Sequence, residues 1–153
     1  MHVIPTGKWF DEFEVGAVYP HPFTRTITEA DNVMFSTQTM NPAPLHIDAD
    51  YASTTAFGKP LVNSLLTLGF VVGISVNDLS HGTTVANLGF DKVVFPAPLF
   101  HGDTIHVETE VLDKRLSESN PTRGIVTLDH RAYNQDDVLV CSAIRNAMIL
   151  VGP

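Results

Sequence analysis

The sequence predicts an α+β fold in which a curved antiparallel sheet of five or six strands wraps round one long central helix. Residues 61–79 are almost wholly apolar, interrupted by Asn, Ser and Thr, which is typical of a buried helix rather than a membrane span. The second half of the chain is a series of strand-like runs separated by polar or Gly/Pro turns. A helix that is apolar on nearly all sides must be covered, and one rolled sheet is the simplest cover.

The first third of the chain is predicted to hold short elements. Residues 16–28 alternate loosely and fit one strand, which Pro20 confines to an edge or irregular position. Thr28 is a suitable N-cap, with Asp31 three residues further on, so a short helix through Phe35 is expected.

The chain cannot be regular over residues 39–44, because two prolines there remove amide donors. Asp48 then predicts the cap of another short helix, which residues 58–60 end with a Gly-Lys-Pro break. In the long helix, Gly69 and Gly73 lie one turn apart and are expected to let the sheet backbone approach closely.

Four longer strands are predicted, at residues 85–95, 104–111, 124–133 and 138–151. In the second of them, apolar side chains share one face while His106, Glu108 and Glu110 share the other, which indicates a sheet wet on one side. The predicted object is a single domain, residues 1–153, with the architecture known as the hot-dog fold.

Composition excludes several classes of function. The net charge of −8 argues against a nucleic-acid partner, which needs a basic surface. The N-terminus resembles no signal peptide, and no membrane association is expected. The single cysteine, Cys141, lies in an apolar run and predicts a reducing, cytoplasmic location. No His, Cys, Asp and Glu cluster has metal-ligand spacing, so no metal and no separate cofactor are predicted.

Three stretches resemble one family, and the resemblance extends over essentially the whole chain. Residues 41–52, Asn-Pro-Ala-Pro-Leu-His-Ile-Asp-Ala-Asp-Tyr-Ala, resemble the hydratase motif of the MaoC-like dehydratases, the (R)-specific enoyl-coenzyme A hydratase family. That motif reads roughly Gly-Asp-x-Asn-Pro-Leu-His, followed by an acidic residue, an aromatic residue and Ala. Residues 58–64 resemble the family's loop into its central helix, and residues 95–105 resemble its Phe-x-x-Pro-Val-x-x-Gly-Asp-Thr turn.

The resemblance implies a hydro-lyase that adds water to, or removes it from, an acyl-coenzyme A thioester. It places the family's catalytic histidine on His46, its catalytic Asp on Asn41 and its motif Gly on Met40. Histidine suits the role of base, because a neutral imidazole accepts a proton near pH 7. Asn41 can hold the attacking water through its amide but cannot carry a proton.

The start of the long helix is the expected seat of an oxyanion hole. Backbone N–H groups near Asn63 and Ser64 are predicted to be unpaired and to lie at the positive end of the helix dipole. In the family a His-Gly pair usually stands at these two positions. Pro44, beside the catalytic histidine, is expected to contact the substrate.

The source of the proton delivered to Cα is open on sequence alone. We favour His46 performing both proton transfers, while Asp48 or Asp31 is the alternative second acid, and an impaired site is a third interpretation. The simpler interpretation of Asp48 is a helix cap, and Asn41 is as well suited to capping the Pro-rich turn as to holding water. Lys92 and Arg123 are the candidates for the phosphates of coenzyme A, with Arg123 resembling the family's basic residue before a Gly-Ile-Val strand.

Two other classes of function compete with the hydratase. A thioesterase is an alternative, although residues 61–77 contain no acid that could serve a carboxylate-driven one. A catalytically inactive partner subunit is another, supported by Asn41. The Asn-x-x-Pro-Leu-His variant resembles a branch that acts on branched C5 dicarboxylic thioesters such as mesaconyl- or itaconyl-coenzyme A. The unpaired sheet edges predict at least a homodimer.

Overall fold

The computed structural model describes residues 2–153, and its elements follow the turn signals of the sequence. In chain order they are the strands β1 (Val18–Pro20) and β2 (Arg25–Thr26), the helices α1 (Glu29–Gln38), α2 (Pro44–Ile47), α3 (Ala49–Ser53) and α4 (Ser64–Leu79), and the strands β3 (Thr84–Val94), β4 (Thr104–Leu116), β5 (Arg123–Tyr133) and β6 (Leu139–Leu150). No helix in this range is long and apolar enough to cross a membrane.

The strands form one six-stranded antiparallel sheet. Its order is β1-β4-β5-β6-β3, and β2 also pairs with β4. Helix α4 packs against β4, β5 and β6, so the predicted fold, an antiparallel sheet of five or six strands round one long central helix, is confirmed. Strand β1, which contains Pro20, lies at one edge as predicted, and β3 forms the other. Strand β4 extends to Leu116, beyond the predicted end at residue 111. The prediction stopped early because a register shift between Val111 and Asp113 breaks the period-two alternation of apolar side chains.

Local capping explains the short helices. Thr28 and Asp31 form a capping box at the start of α1, and the Asp48 side chain accepts from the N–H of Tyr51 at the start of α3. The sequence prediction had no counterpart for α2. Pro44 is the first residue of this single turn, a position at which its missing N–H is not required and its fixed φ is already helical.

A row of buried polar side chains divides the core in two. One apolar cluster includes Val71 and Ile74 of α4, and the other includes Leu79 of the same helix. Between them runs a hydrogen-bonded chain, with distances of 3.0, 2.7, 2.7 and 2.9 Å, from Arg145 through His130, Thr109 and His21 to Asp78.

The outer face of α4, unlike the face that packs on the sheet, is not covered by this chain. Leu65 is 60% exposed. Gly69 and Gly73 are exposed too, and a Cβ at either would meet no atom within 4 Å, so the expected close approach of the sheet backbone is wrong. They line an open groove that also contains Phe23 and Phe70.

Candidate active site

His46 is held by the backbone at the point where the chain enters the long helix. It lies on α2 and is partly buried, and its Nδ1 is 2.7 Å from the carbonyl oxygen of Leu61. The Leu61 N–H in turn donates to the carbonyl of Leu45, so the two segments pair directly. The proline-initiated turn therefore places His46 against the residues that precede α4.

The hydrogen bond from His46 determines its tautomer. A carbonyl oxygen can only accept, so Nδ1 of the neutral imidazole carries the proton and donates it to Leu61. Nε2 is then the unprotonated nitrogen, with a lone pair available to take a proton from water.

Ser64, and not Asn63, supplies the free backbone donor at the start of α4. The N–H of Asn63 donates to Oδ1 of Asn32 at 2.9 Å, which corrects the expectation that both N–H groups are unpaired. The Asn63 side chain is the N-cap, accepting from the N–H of Leu65 at 3.0 Å. Within residues 2–153 the N–H of Ser64 has no hydrogen-bond partner, as expected at the first position of a helix.

An apolar pocket of about 210 Å³ opens at this helix start. Ser64 and Thr67 of α4 are its polar contributors, and Leu61 connects it to His46. The remaining lining residues are apolar and come from the loops around the helix start and from β6; they are Phe57, Val62, Phe95, Pro96, Ala97, Pro98, Leu99 and Val140. The pocket fits the acyl part of a thioester better than a charged group.

The side-chain oxygen of Asn41 caps the Pro-rich turn, while its side-chain nitrogen makes no hydrogen bond within residues 2–153. Its Oδ1 accepts from the N–H of Ala43 at 3.0 Å, the capping role weighed from the sequence. Its Nδ2 has no partner among residues 2–153 and is available to a water molecule. The preceding residue, Met40, has φ of 61°, a left-handed conformation that suits the Gly of the family motif.

The two candidate second acids are engaged in capping helices. Oδ1 of Asp48 accepts from the N–H of Tyr51 at 3.0 Å. Desolvation raises the pKa of Asp31, but hydrogen bonds from Thr28 and Arg25 outweigh it, so the pKa is lowered overall. A carboxylate with a lowered pKa is a poor proton donor at neutral pH, so Asp31 is not favoured as the acid. Asp48 is disfavoured by its capping hydrogen bond alone.

The two predicted phosphate contacts lie at different ends of the sheet. Lys92 is exposed on β3, three positions before the pocket residue Phe95. Arg123 pairs with Leu150 at the end of β6, whereas Val140 at its start lines the pocket, a separation of about 33 Å at about 3.3 Å per residue. Within one chain, Arg123 is therefore not a contact of this pocket, and its role toward the phosphates stays a prediction.

Sequence reasoning missed a cation at the rim of the pocket. Lys59 Nζ lies 4.3 Å from the ring centroid of Phe100, which also packs edge-on against the pocket residue Phe57. Lys59 stands in the Gly-Lys-Pro stretch that signals the loop into α4, and that loop was the available clue. Pro44 is exposed and is not among the residues that line the apolar pocket.

Cys141 offers no nucleophile for thioester hydrolysis. Its side chain is buried in the core, and burial, with a contribution from the charge of Asp129, raises the pKa of the thiol to about 11. Among residues 2–153 no three His, Cys, Asp or Glu side chains converge as a metal site, and the absence of a bound metal remains a prediction.

The antiparallel sheet and the long helix packed against it together define a hot-dog domain. A solved structure from Mycobacterium tuberculosis, described as a double hotdog fold, matches 97% of this chain and 46% of its own with a TM-score of 0.86 at 24% identity. The family described as MaoC like domain matches residues 12–134, so the chain belongs to the MaoC-like dehydratase family, and the resemblance seen in the motifs is confirmed.

Individual relatives agree with this assignment. The chain is 29% identical to β-methylmalyl-CoA dehydratase of Chloroflexus aurantiacus and 28% identical to mesaconyl-CoA hydratase of Cereibacter sphaeroides, over 94% of this chain in both cases. It spans 40% and 41% of those two proteins. A monoamine oxidase regulatory protein from Archaeoglobus fulgius has a solved structure with a TM-score of 0.85 and 30% identity, covering 98% of this chain and 100% of its own.

Proposed function

We propose that this chain adds water to, or removes it from, the Cα–Cβ bond of an enoyl-coenzyme A thioester. The observation that carries the proposal is the hydrogen bond from His46 Nδ1 to Leu61. It leaves Nε2 as a base beside a pocket whose helix start presents the free N–H of Ser64. Base and oxyanion donor are the two groups that such a hydration requires.

The proposed step balances with His46 as the single acid–base group. Nε2 takes a proton from water while the water oxygen bonds to Cβ, and the π electrons move onto the thioester oxygen. The Ser64 N–H stabilises the resulting enolate oxygen. The same Nε2–H then returns its proton to Cα as the thioester carbonyl re-forms, and dehydration is the reverse sequence. Asn41 Nδ2 holds the water in this scheme.

The proposed substrate is a branched C5 dicarboxylic thioester of the mesaconyl-coenzyme A type. Its support is the names of the relatives, β-methylmalyl-CoA dehydratase and mesaconyl-CoA hydratase. Lys59 at the rim, with Lys92 near the mouth, is positioned to meet anionic groups of the substrate outside the apolar pocket. We further propose a cytoplasmic location, supported by the single buried free thiol.

A homodimer joined along β3 is also proposed. This edge strand exposes apolar side chains, namely Val85, Leu88, Phe90 and Val94. Leu65, on the uncovered face of α4, adds to the unsatisfied apolar surface. Phe95 follows β3 directly and lines the pocket, so the dimer contact adjoins the site.

The test is the loss of ultraviolet absorbance of the enoyl thioester when the chain is added to mesaconyl- or crotonyl-coenzyme A. The variants are His46→Ala, Asn41→Ala and Asn41→Asp, with His106→Ala as the matched control because that side chain is exposed beside Asp137 on the other face of the sheet. We expect His46→Ala to lose about 10³-fold in kcat and Asn41→Ala about tenfold, with Asn41→Asp and the control near wild type.

The outcomes separate the alternatives. Absorbance loss in the wild type and not in His46→Ala supports the proposal. Release of free thiol without absorbance loss contradicts it in favour of a thioesterase. Binding of the thioester with neither reaction contradicts it in favour of an inactive partner subunit.

A further inference from the structure

Helix α1 buries two of its side chains completely, and both are polar. Asn32 and Ser36, one turn apart, are each 0% exposed. Burial of an amide is unfavourable unless its hydrogen bonds are made, and an apolar residue is the ordinary choice for such a position. Core packing alone therefore does not account for Asn32.

The carboxamide of Asn32 binds backbone on both sides of the candidate active site. Its Nδ2 lies 3.0 Å from the carbonyl oxygen of Leu61 and 3.2 Å from that of His46. Its Oδ1 accepts from the N–H of Asn63 at 2.9 Å. Nδ2 is also 3.0 Å from Nε2 of His101, so the two amide hydrogens are shared among three acceptors.

One of these atoms is the atom that orients the proposed base. The carbonyl oxygen of Leu61 accepts from Nδ1 of His46 and from Nδ2 of Asn32 at the same time. A carbonyl has two lone pairs, so the two donors occupy one each. Without the Asn32 donor, the carbonyl keeps only the imidazole as a side-chain donor, while the Val62 N–H of the same peptide still donates to the carbonyl of Leu99.

The acceptor end of the same side chain fixes the start of α4. By holding the N–H of Asn63, Asn32 places the next residue, Ser64, whose free N–H is the proposed oxyanion donor. Catalysis of this kind depends on the base and the oxyanion donor being held within about 1 Å of their productive separation. A single buried side chain thus ties the two groups together.

We propose that Asn32 is the positioning residue of this site, fixing the Nδ1–H tautomer of His46 through the Leu61 carbonyl and the Ser64 N–H through Asn63. The kinetic consequence rests on the proposed function. The tautomer consequence does not, because it is a property of the unliganded chain.

The test is Asn32→Asp, which preserves shape and the Oδ1 acceptor and replaces the donor by a second acceptor. Asn146→Asp is the matched control, since Asn146 is also hydrogen-bonded on both ends, to Thr127 and Asp91, but on the opposite face of the sheet. Nitrogen-15 NMR of the imidazole, with the signal assigned by His46→Gln, reports which ring nitrogen carries the proton at pH 8. Asn32→Ser serves as a second variant if Asn32→Asp does not fold.

In the wild type and the control we expect His46 to be protonated on Nδ1 with a single tautomer. In folded Asn32→Asp we expect the Nε2–H tautomer to become populated. The kcat should fall about 100-fold with KM changed by less than about threefold, and the limb of the pH profile of kcat/KM assigned to His46 should shift.

Three results would overturn the inference. The first is an Nε2–H tautomer of His46 in the wild type, which requires no variant to fold. The second is a folded Asn32 variant with an unchanged tautomer. The third is an active wild type whose Asn32 variant shows an unchanged kcat and pH limb. A chain inactive on every enoyl thioester contradicts the proposed function alone, since the NMR measurement still decides the role of Asn32.

Discussion

Met40 occupies a position whose backbone conformation is better suited to glycine. Its φ of 61° lies in the left-handed region, which glycine adopts easily and a residue with a side chain does not. The Met40 side chain is 87% exposed, so it gains little from packing. The left-handed region costs a non-glycine residue about 1 kcal/mol. The backbone strain at Met40, in the turn that leads into Asn41 and His46, is therefore not offset by packing of its side chain.

We expect Met40→Gly to raise the free energy of unfolding by about 1 kcal/mol, measured by urea denaturation. The matched control is Met34→Gly, since Met34 is 58% exposed in the interior of α1. There the same substitution should lower stability by about 1 kcal/mol, because glycine is a poor helix former. Equal effects at both positions would contradict the strain at Met40.

His130 is the residue whose burial predicts a pH effect. Desolvation, together with the charges of Arg145 and His21, holds the pKa of this imidazole well below its ordinary value near 6.5. In the unfolded chain the imidazole takes up a proton as the pH falls below 6.5, whereas in the folded chain it stays neutral. The free energy of unfolding should therefore be unaffected by this histidine above pH 6.5 and should fall steadily as the pH drops below 6.5.

The measurement is the thermal midpoint between pH 8 and pH 5.5. One such histidine lowers stability by about 1.4 kcal/mol per pH unit below 6.5. We expect His130→Gln to be less stable at pH 8 but to show a flatter pH dependence. His106→Gln, at an exposed position, is the control and should keep the wild-type slope. A wild-type slope in His130→Gln would contradict this account.

Among the secondary-structure elements, a carboxylate that the sequence offered as a catalytic acid, Asp48, serves as a helix cap. Asp48 joins α2 to α3, as the residue that ends one turn and caps the next. Its side chain is hydrogen-bonded to the N–H of Tyr51, and it lies two positions from His46 in sequence. Proximity to the base in sequence is thus explained by helix capping.

Asp48→Ala is expected to lower the free energy of unfolding by about 1 kcal/mol and to leave kcat within about twofold of wild type. Asp48→Asn should restore the stability, because an asparagine side chain caps equally well without a titratable proton. Urea denaturation and the hydration assay check the two effects separately. A large loss of kcat in both variants would instead identify Asp48 as the second acid.

At the scale of the whole molecule, the chain leaves an apolar surface that a compact monomer would cover. The β3 edge and the outer face of α4 contribute to it, and the curated relatives are about two and a half times as long as the region they share with this chain. The solved structure described as a double hotdog fold matches this chain over only 46% of its own length. A second copy of this chain is the proposed equivalent here.

Light scattering should give a mass near twice the 16.7 kDa of one chain. Leu88→Lys, on β3, should reduce it to about that of the monomer, because a buried lysine in the interface is unfavourable. Leu116→Lys is the control, since Leu116 is exposed at the end of β4 away from the β3 edge. A monomeric wild type, or an unchanged mass in Leu88→Lys, would contradict the dimer along β3.

Local sequence signals were enough to predict the type and order of most elements and the identity of the proposed base. Period-two alternation predicted the strands, the apolar run predicted α4, and Thr28 and Asp48 predicted two helix starts, because each of these signals lies within a few consecutive residues. The motif around His46 was recognisable for the same reason. The single turn α2 was missed, since its prolines indicate irregular backbone more strongly than a helix.

The assembly of the site, in contrast, could be read only from the tertiary structure. It selected Ser64 over Asn63 as the free donor, separated Arg123 from the pocket and brought in Lys59. It also assigned Asn32 its contacts, which join residues 14, 29, 31 and 69 positions away. A hydrogen bond between distant residues leaves no periodic trace in the sequence, because it depends on the folded path of the chain rather than on local propensity.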